Sequence, residues 1–221
     1  MNALGTLDYI INDIDPFLVT SEIGEIQNHF NQLTYSHVPV IDAEGYVGCI
    51  SGTDAHCFES EKTLQEYRYS IEHFHVKKHT HWLDILEAFA LHNTNIMPVL
   101  DDDQTYLGYY ELNDIIGLFN DTPFLSETGG IVVIEKGMRD YSFSEICQIV
   151  ESNEGKILAV FISKIENDVM QATIKLGHAG INEIVQTFRR YNYNVVSNHD
   201  EDTFIEDLKD RSKYLDKYLN I

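Results

Sequence analysis

The sequence predicts a mixed α/β protein in which one supersecondary unit occurs twice and is followed by a second, different domain. Two observations lead to this fold class. The segment over residues 35–55 recurs about 59 residues later, over residues 95–115. Beyond residue 130 the apolar pattern changes to strand, helix, strand, strand, helix and strand, which no longer matches the repeat. A period of this length with apolar positions in phase is typical of a duplicated structural unit.

The two copies share a proline and valine in their first strand, an acidic turn, a glycine in the returning strand and an aspartate after it. The last two matches follow a one-residue insertion. The matched pairs are Pro39 with Pro98, Val40 with Val99, Asp42 with Asp101, Gly48 with Gly108 and Asp54 with Asp114. An upstream helix repeats as well, with Ile23, Ile26 and Phe30 matching Trp82, Ile85 and Phe89.

The first copy predicts, in order, a lead helix, a strand, a helix, two strands and a helix. The expected ranges are 4–14, 17–20, a helix capped by Ser21, then 37–41, 46–51 and 52–58. Serine is a favoured N-cap because its hydroxyl accepts from a free backbone N–H of the first turn. Pro39 has no N–H to give to a ladder, so its strand is predicted to be an edge or to end its pairing there.

The second copy predicts the same order. The expected ranges are strand 75–78, a helix over 82–91 capped by Thr80, strands 96–100 and 105–110, and helix 112–119. Between the copies, residues 59–72 are polar and aromatic, which indicates a linker or an irregular helix. We therefore place the first repeat at residues 1–60 and the second at 61–121.

The C-terminal part is predicted to fold as a four-stranded ferredoxin-like sandwich over residues 131–199, because its order is βαββαβ. Residues 122–130 carry Pro, Ser, Thr and Gly and are the expected linker. Ser142 and Glu145 form a predicted capping box, and Gly155 is expected to end that helix. Residues 200–221 predict an amphipathic helix that packs on its own protein, a twin subunit or a separate partner.

These motifs carry a family resemblance. Residues 1–120 contain the same motif twice and resemble a tandem CBS pair, or Bateman module. The motif consists of an apolar residue, Pro and Val, then an acidic turn, then Gly and, in the first copy, a hydroxyl residue three positions before Asp. The following βαββαβ order resembles an ACT domain, with Gly137 in its first strand-to-helix loop. The whole layout is similar to the acetoin-utilisation-protein-like CBS/ACT family. The resemblance implies a regulatory protein that binds adenosine-containing ligands between its repeats and forms a homodimer.

Ser51 and Asp54 are the first candidates for a ligand site. In CBS pairs the residue at the position of Asp54 accepts hydrogen bonds from ribose hydroxyls, and the one at Ser51 donates to a phosphate. The backbone of His37, Val38 and Pro39 would frame the base. An alternative is that Asp54 only caps its helix, since an acidic residue near a helix start is favourable by itself.

The second repeat offers Asp114 and Met97 as the corresponding candidates. Its hydroxyl position is occupied by Glu111, whose carboxylate would oppose a phosphate. We therefore expect a degenerate second site, or one that holds a nucleoside.

Four histidines, His73, His75, His79 and His81, lie within nine residues. Residues two apart on a strand share a face, so each pair could chelate a divalent metal. The spacing matches no standard zinc motif, and the alternative is a solvated, histidine-rich strand–helix junction. A response to pH is a related hypothesis.

Composition limits the partners. The net charge is −21, and residues 1–121 hold four Lys and Arg against 20 Asp and Glu. Such a surface repels nucleic acid and anionic membrane, so neither is an expected partner. Three cysteines without a pairing pattern, and an N-terminus without a basic leader, favour a cytoplasmic protein.

The function predicted from the sequence is a non-enzymatic sensor, since no nucleophile or phosphate-cradling motif is found. The candidate ligands are AMP, ADP, ATP, adenosine and S-adenosylmethionine. The alternative is an interaction module with degenerate nucleotide sites that acts through oligomerisation and an unidentified client protein. A histidine-based metal or pH sensor is the third hypothesis.

Overall fold

The computed structural model describes residues 6–177 and 180–197. The chain divides into two compact units, residues 1–121 and 122–221. The predicted tail helix over residues 200–221 lies outside the described residues.

The first unit contains two three-stranded sheets of identical plan. In each, a short strand pairs in parallel with a central strand, which pairs antiparallel with a third. Its elements are β1 (Phe17–Leu18), α1 (Ile23–Gln32), β2 (His37–Asp42), β3 (Gly45–Ser51), α2 (Gly52–Cys57), β4 (Val76–Lys77), α3 (Trp82–His92), β5 (Ile96–Leu100), β6 (Tyr106–Glu111) and α4 (Leu112–Asn120). Short 3₁₀ helices cover Thr6–Tyr9 and Leu64–Ser70.

The duplication extends to irregularities of the ladders. The register between β2 and β3 shifts after Val40, and the register between β5 and β6 shifts after Val99, the matched residue. One extra residue on β3 and β6 accounts for each shift, as in a β-bulge. The repeated unit predicted from the sequence is therefore confirmed down to its backbone detail.

The strand that contains Pro39 does not lie where the sequence predicted. The prediction that β2 is an edge strand is wrong, because β2 is the centre of its sheet. Its pairing with β1 involves only Val40 and Ile41. Pro39 thus lies just before the parallel ladder begins, where a missing N–H costs no bond to β1.

Two predicted helix caps are wrong. The N-cap of α1 is Glu22, not Ser21, and no side chain caps it. The N–H groups of Ile23 and Gly24 instead donate to the backbone oxygens of Lys62 and Ser60, at 2.8 and 2.9 Å. A neighbouring chain segment therefore satisfies the start of this helix, which no local pattern reveals.

At the start of α3, the N-cap is His81, not Thr80. The His81 Nδ1 accepts from the backbone N–H of Leu83 at 3.2 Å. The Thr80 hydroxyl accepts from the backbone N–H of Lys77 at 3.0 Å. Of the lead helix expected over residues 4–14, the described part from residue 6 onward contains only the 3₁₀ turn Thr6–Tyr9.

The second unit is a ferredoxin-like sandwich, as predicted. Its sheet is antiparallel throughout, with the strands in the spatial order Asn194–Val195 (β10), Gly130–Gly137 (β7), Val169–Leu176 (β9) and Ile157–Glu166 (β8). The helices bury Ile146, Ile149, Val150, Ile184, Val185 and Phe188. Its elements are α5 (Pro123–Ser126), β7 (Gly130–Gly137), α6 (Phe143–Ser152), β8 (Ile157–Glu166), β9 (Val169–Leu176), α7 (Ile181–Arg190) and β10 (Asn194–Val195).

The predicted cap of α6 is confirmed in one of its two halves. Ser142 is the N-cap, and its hydroxyl accepts from the backbone N–H of Glu145 at 3.4 Å. The Glu145 carboxylate accepts from Lys136 Nζ at 2.8 Å.

Within the described ranges, no helix combines the length and the apolar character needed to cross a membrane.

Candidate functional site

The two repeats are joined reciprocally. The segment ahead of the first repeat forms a bridge from Ile11 to Tyr109 on β6, and the segment ahead of the second forms one from Glu72 to Cys49 on β3. Each bridge consists of two backbone hydrogen bonds, of 2.9 Å for Ile11 and 2.8 Å for Glu72. Each repeat therefore supplies a piece of backbone to the third strand of the other.

Two matched glycines make this joint possible. A Cβ on Gly108, whose φ is +143°, would lie 2.2 Å from the backbone oxygen of Ile11. A Cβ on Gly48 would lie 2.5 Å from that of Glu72. These separations are too short for any side chain, so the recurrence of glycine at this position is explained by close backbone approach.

A second contact lies between the starts of the two central strands. The carboxamide oxygen of Asn95 accepts from the backbone N–H of Ser36 at 2.8 Å and from the Ser36 hydroxyl at 3.0 Å. The Asn95 backbone N–H donates to the Ser36 hydroxyl oxygen at 3.1 Å. Ser36 and Asn95 are matched residues of the repeat, so the two strands meet across an approximate twofold axis.

Beside this contact lies a cleft of about 520 Å³, within the size range of small-molecule sites. It is bounded by the start of β2 and of α2 from the first repeat, and by the end of α3 and the segment before β4 from the second. The lining residues are Phe30, Tyr35, Ser36, His37, Ser51, Gly52, Thr53, His56, Glu72, His92 and Asn93.

Ser51 offers a hydrogen-bond donor to this cleft. It is the N-cap of α2, and its hydroxyl oxygen accepts from the backbone N–H of Asp54 at 3.0 Å. Because a hydroxyl also carries one proton, that proton stays available for a ligand. Gly52 follows Ser51 against the Phe30 ring, which would lie 3.1 Å from a Cβ at that position.

The cleft also presents an imidazole–carboxylate pair next to Ser51, because His37 is paired with Ser51 between β2 and β3. His37 Nε2 lies 3.2 Å from the Glu72 carboxylate, and His37 Nδ1 lies 2.9 Å from the Ser36 hydroxyl. The Phe74 ring meets His37 edge-on at 5.4 Å and stacks on His92 at 4.6 Å. These contacts fix His37 and His92 at the rim of the cleft.

Only some of the residues predicted for the first site line the cleft. Ser51 and His37 line the cleft. Asp54 occupies the first turn of α2 outside the lining, so its expected role toward a ribose stays a prediction. Ser51, not Asp54, is the N-cap of α2, while Asp54 lies in the first turn, where an acidic side chain is favourable by itself. Val38 and Pro39 are buried in the sheet and do not line the cleft.

Sequence reasoning missed the residues that the second repeat contributes to this cleft, Glu72, His92 and Asn93. The one sequence clue was the position of Glu72 directly before the histidine-rich stretch. Its approach to His37 depends on the bridge between the repeats, which residue spacing does not reveal.

The matched cavity of the second repeat has another character. It measures about 400 Å³, and its lining is mainly apolar. It is lined by Ser36, Leu86, Phe89, Ala90, Asn93, Thr94, Asn95 and Leu112. Of the residues predicted for this site, Met97 is fully buried in the core, and Asp114 is outside the lining.

Glu111, which replaces the hydroxyl residue, is held by the first repeat. Its carboxylate accepts a short hydrogen bond from the Tyr35 hydroxyl. The Tyr109 hydroxyl lies 3.3 Å from that of Tyr35 and donates to the Asp13 carboxylate at 2.5 Å. Burial first, and then the bond to Glu111, raise the pKa of Tyr35, so the phenol stays a donor.

The four histidines of the candidate metal site do not come together. Over residues 6–177 and 180–197, no three His, Cys, Asp or Glu side chains are placed to hold one metal ion. His73 Nδ1 lies 2.7 Å from the Val47 carbonyl oxygen, His75 packs edge-on against the Tyr46 ring, and His81 is a helix cap.

The ferredoxin-like unit has a cavity of its own, about 580 Å³, at the loop that carries Gly137. Lys136 is engaged there with Glu145, and its Nζ lies 4.0 Å from the centre of the Tyr193 ring. The remaining lining is Glu135, Gly137, Asp140, Val169, Asn192 and Asn194.

Comparison with solved structures gives remote likenesses to CBS-domain proteins. One is a CBS domain pair/ACT domain protein from Thermotoga maritima, 16% identical, covering 52% of this chain and 96% of that chain with a TM-score of 0.47. Another is the CBS domains of a transcriptional regulator from Streptococcus pneumoniae, at 18% identity, 51% and 91% coverage and a TM-score of 0.41. A third is CBSX2 in complex with AMP, at 14% identity, 51% and 93% coverage and a TM-score of 0.43.

No protein-family model and no curated protein matches the chain. The structure itself shows a duplicated βαββα unit with a cleft between its copies, and a ferredoxin-like unit after it in the chain.

Proposed function

We propose that this protein is a non-enzymatic regulatory protein that binds an adenosine-type ligand in the cleft between its CBS-type repeats. The observation that carries the proposal is the cleft itself. Its lining combines Ser51 of the first repeat with Glu72 of the second, and the Phe30 and Tyr35 rings are among its walls. An aromatic wall with a few polar groups suits a nucleoside, which has a flat base and a hydroxylated sugar.

The same cleft explains how binding could be transmitted. Its lining comes from both repeats, with Ser51 on the first and Glu72 and His92 on the second. A ligand that contacts both repeats binds one packing of the pair better than another, which is the requirement for a population shift. The ACT-type identity of the second unit and a homodimer are further parts of this proposal.

The direct test is a thermal-shift screen of the full chain against adenosine, AMP, ADP, ATP with and without magnesium, and S-adenosylmethionine. We expect at least one ligand to raise the melting temperature in a concentration-dependent way. Ser51→Ala should reduce that ligand-induced rise, while Ser60→Ala, at an exposed serine outside the cleft, should keep it. The induced rise is compared within each variant, because loss of the Ser51 cap lowers the starting stability by about 1 kcal/mol.

An assembly module is the second candidate function. It is favoured by Glu111, whose engagement with Tyr35 closes the matched position of the second repeat to a phosphate. If no adenosine ligand shifts melting, the regulatory proposal is wrong. Light scattering of the full chain and of a chain ending at residue 199 would then test assembly directly, with loss of a dimer on truncation as the supporting result.

A further inference from the structure

We propose that the cleft selects an uncharged nucleoside over its phosphorylated forms, and that Glu72 determines this selectivity. The inference rests on the proposed function and specifies its ligand. It starts from the charges that face the cleft. One carboxylate, that of Glu72, lines it, and across residues 6–121, all of which are described, no Lys or Arg does.

The basic residues of the first unit are all used elsewhere. Residues 1–121 contain only four Lys and Arg. Each bonds to an acidic side chain or to a backbone oxygen. The contacts are Lys62 with Glu59 at 2.7 Å, Arg68 with Asp42 at 3.0 Å, Lys77 with the Asp101 carbonyl at 3.0 Å and Lys78 with the Asp101 carboxylate at 2.8 Å.

The start of α2 does not replace the missing cations. Its six residues make a weak dipole, and two of its first three N–H groups, those of Gly52 and Asp54, already have partners. The Gly52 N–H donates to the Ser36 carbonyl at 2.9 Å, and the Asp54 N–H donates to the Ser51 hydroxyl at 3.0 Å. A phosphate in the cleft would therefore find the Ser51 proton and the imidazoles of His37, His56 and His92, but no fixed positive charge.

Glu72 is held in place by its backbone. Its N–H and carbonyl both bond to Cys49 at 2.8 Å, and its side chain keeps 43% of its surface exposed. The carboxylate meets His37 Nε2 at 3.2 Å and has further lone pairs free for a ligand. It can accept from sugar hydroxyls, whereas a phosphate with a charge of about −1.5 to −2 would meet it as a like charge.

The test is isothermal titration of the full chain with adenosine, AMP, ADP and ATP without magnesium. It is run at pH 8, where an ordinary imidazole carries no charge. We expect adenosine to bind at least about tenfold more tightly than AMP, with a further loss for each added phosphate, as expected for repulsion between like charges at a partly exposed site. Glu72→Gln keeps an oxygen for His37. It should lower the ratio of the association constant for adenosine to that for AMP by about tenfold.

Glu44→Gln is the matched control, because Glu44 is an exposed residue in the β2–β3 turn and its loss changes the net charge equally. It should leave the ratio unchanged. Tighter binding of AMP or ATP than of adenosine, abolished by Ser51→Ala, would overturn the selectivity and leave the regulatory function standing. An unchanged ratio in Glu72→Gln would overturn the role of Glu72, and no binding of any ligand would overturn both proposals.

Discussion

The two repeats share a backbone plan but present different chemistry in their matched cavities. In the first repeat the strand ends in Ser51, which lines an open cleft of mixed polarity. In the second repeat the same position is Glu111, whose carboxylate is taken by Tyr35, beside a smaller and mainly apolar cavity. Duplication has kept the fold while the side chains at the strand ends have diverged.

The difference shows that the two cavities are not independent. Tyr35 belongs to the first repeat and lines its cleft, yet its hydroxyl closes the matched position of the second. Ser36 and Asn93 line both cavities. One repeat therefore helps to determine what the other can bind, and experiments that separate shared from divergent residues sharpen this comparison.

The largest effect is expected where the repeats are the same. Gly108→Ala places a Cβ against the Ile11 backbone at a φ that favours glycine, and should lower the free energy of unfolding by about 3 kcal/mol. Gly48→Ala should act in the same direction. Gly117→Ala is the control, because its Cβ would meet nothing within 4 Å and it lies in α4, where alanine stabilises by up to about 1 kcal/mol. Urea unfolding measures all three, and a neutral Gly108→Ala would contradict the reciprocal joint.

A smaller effect is expected where the repeats differ. Tyr35→Phe removes the donor to Glu111 and should cost about 1–2 kcal/mol of unfolding free energy. A double-mutant cycle with Glu111→Ala isolates the pair, and we expect a coupling of about 1 kcal/mol. If the two losses of unfolding free energy are additive in the double variant, Tyr35 does not bond to Glu111. The bond would then not explain why the two cavities differ.

The smallest effect concerns His29 on α1, whose matched residue in α3 is Ala88. Burial lowers the pKa of His29, and its Nε2 has no hydrogen-bond partner among the described residues. As pH falls through the ordinary imidazole range, the unfolded chain takes up this proton more readily, so stability falls. His29→Ala should therefore reduce the drop in melting temperature between pH 8 and pH 5.5. His79→Ala, at an exposed histidine, is the control, and equal drops in both variants would count against a burial effect.

Much of the fold was predictable, and the reason is local. The period of the repeat, the alternating strand patterns and the apolar faces of α6 and α7 all lie within short stretches of sequence. Strands β5 and β9 occur at the predicted residues, and the predicted ferredoxin-like strand order is confirmed. The errors at Ser21, Thr80 and Pro39 have two causes. At Ser21 and Pro39 the backbone partners come from another segment or strand, which local spacing does not show. At Thr80 the neighbouring side chain of His81 takes the capping role.

The residues of the candidate site also differ in whether local sequence could identify them. Ser51 and His37 could be chosen from the sequence because each belongs to the repeated motif. Glu72 and His92 could not, because they reach the cleft through contacts made over long separations along the chain. The bond between Glu72 and His37 spans 35 residues, and the one between Tyr35 and Glu111 spans 76.

By itself, the sequence determined the duplication, the order of helices and strands, the ferredoxin-like unit and the strongly acidic first half. Each follows from residue type and spacing, which act over one or two turns or strands. Only the tertiary structure decided which carboxylate enters the cleft, which tyrosine closes the second position and where the four basic side chains are engaged. Those outcomes depend on how two folded repeats approach each other, and that approach is set by backbone contacts at Gly48 and Gly108.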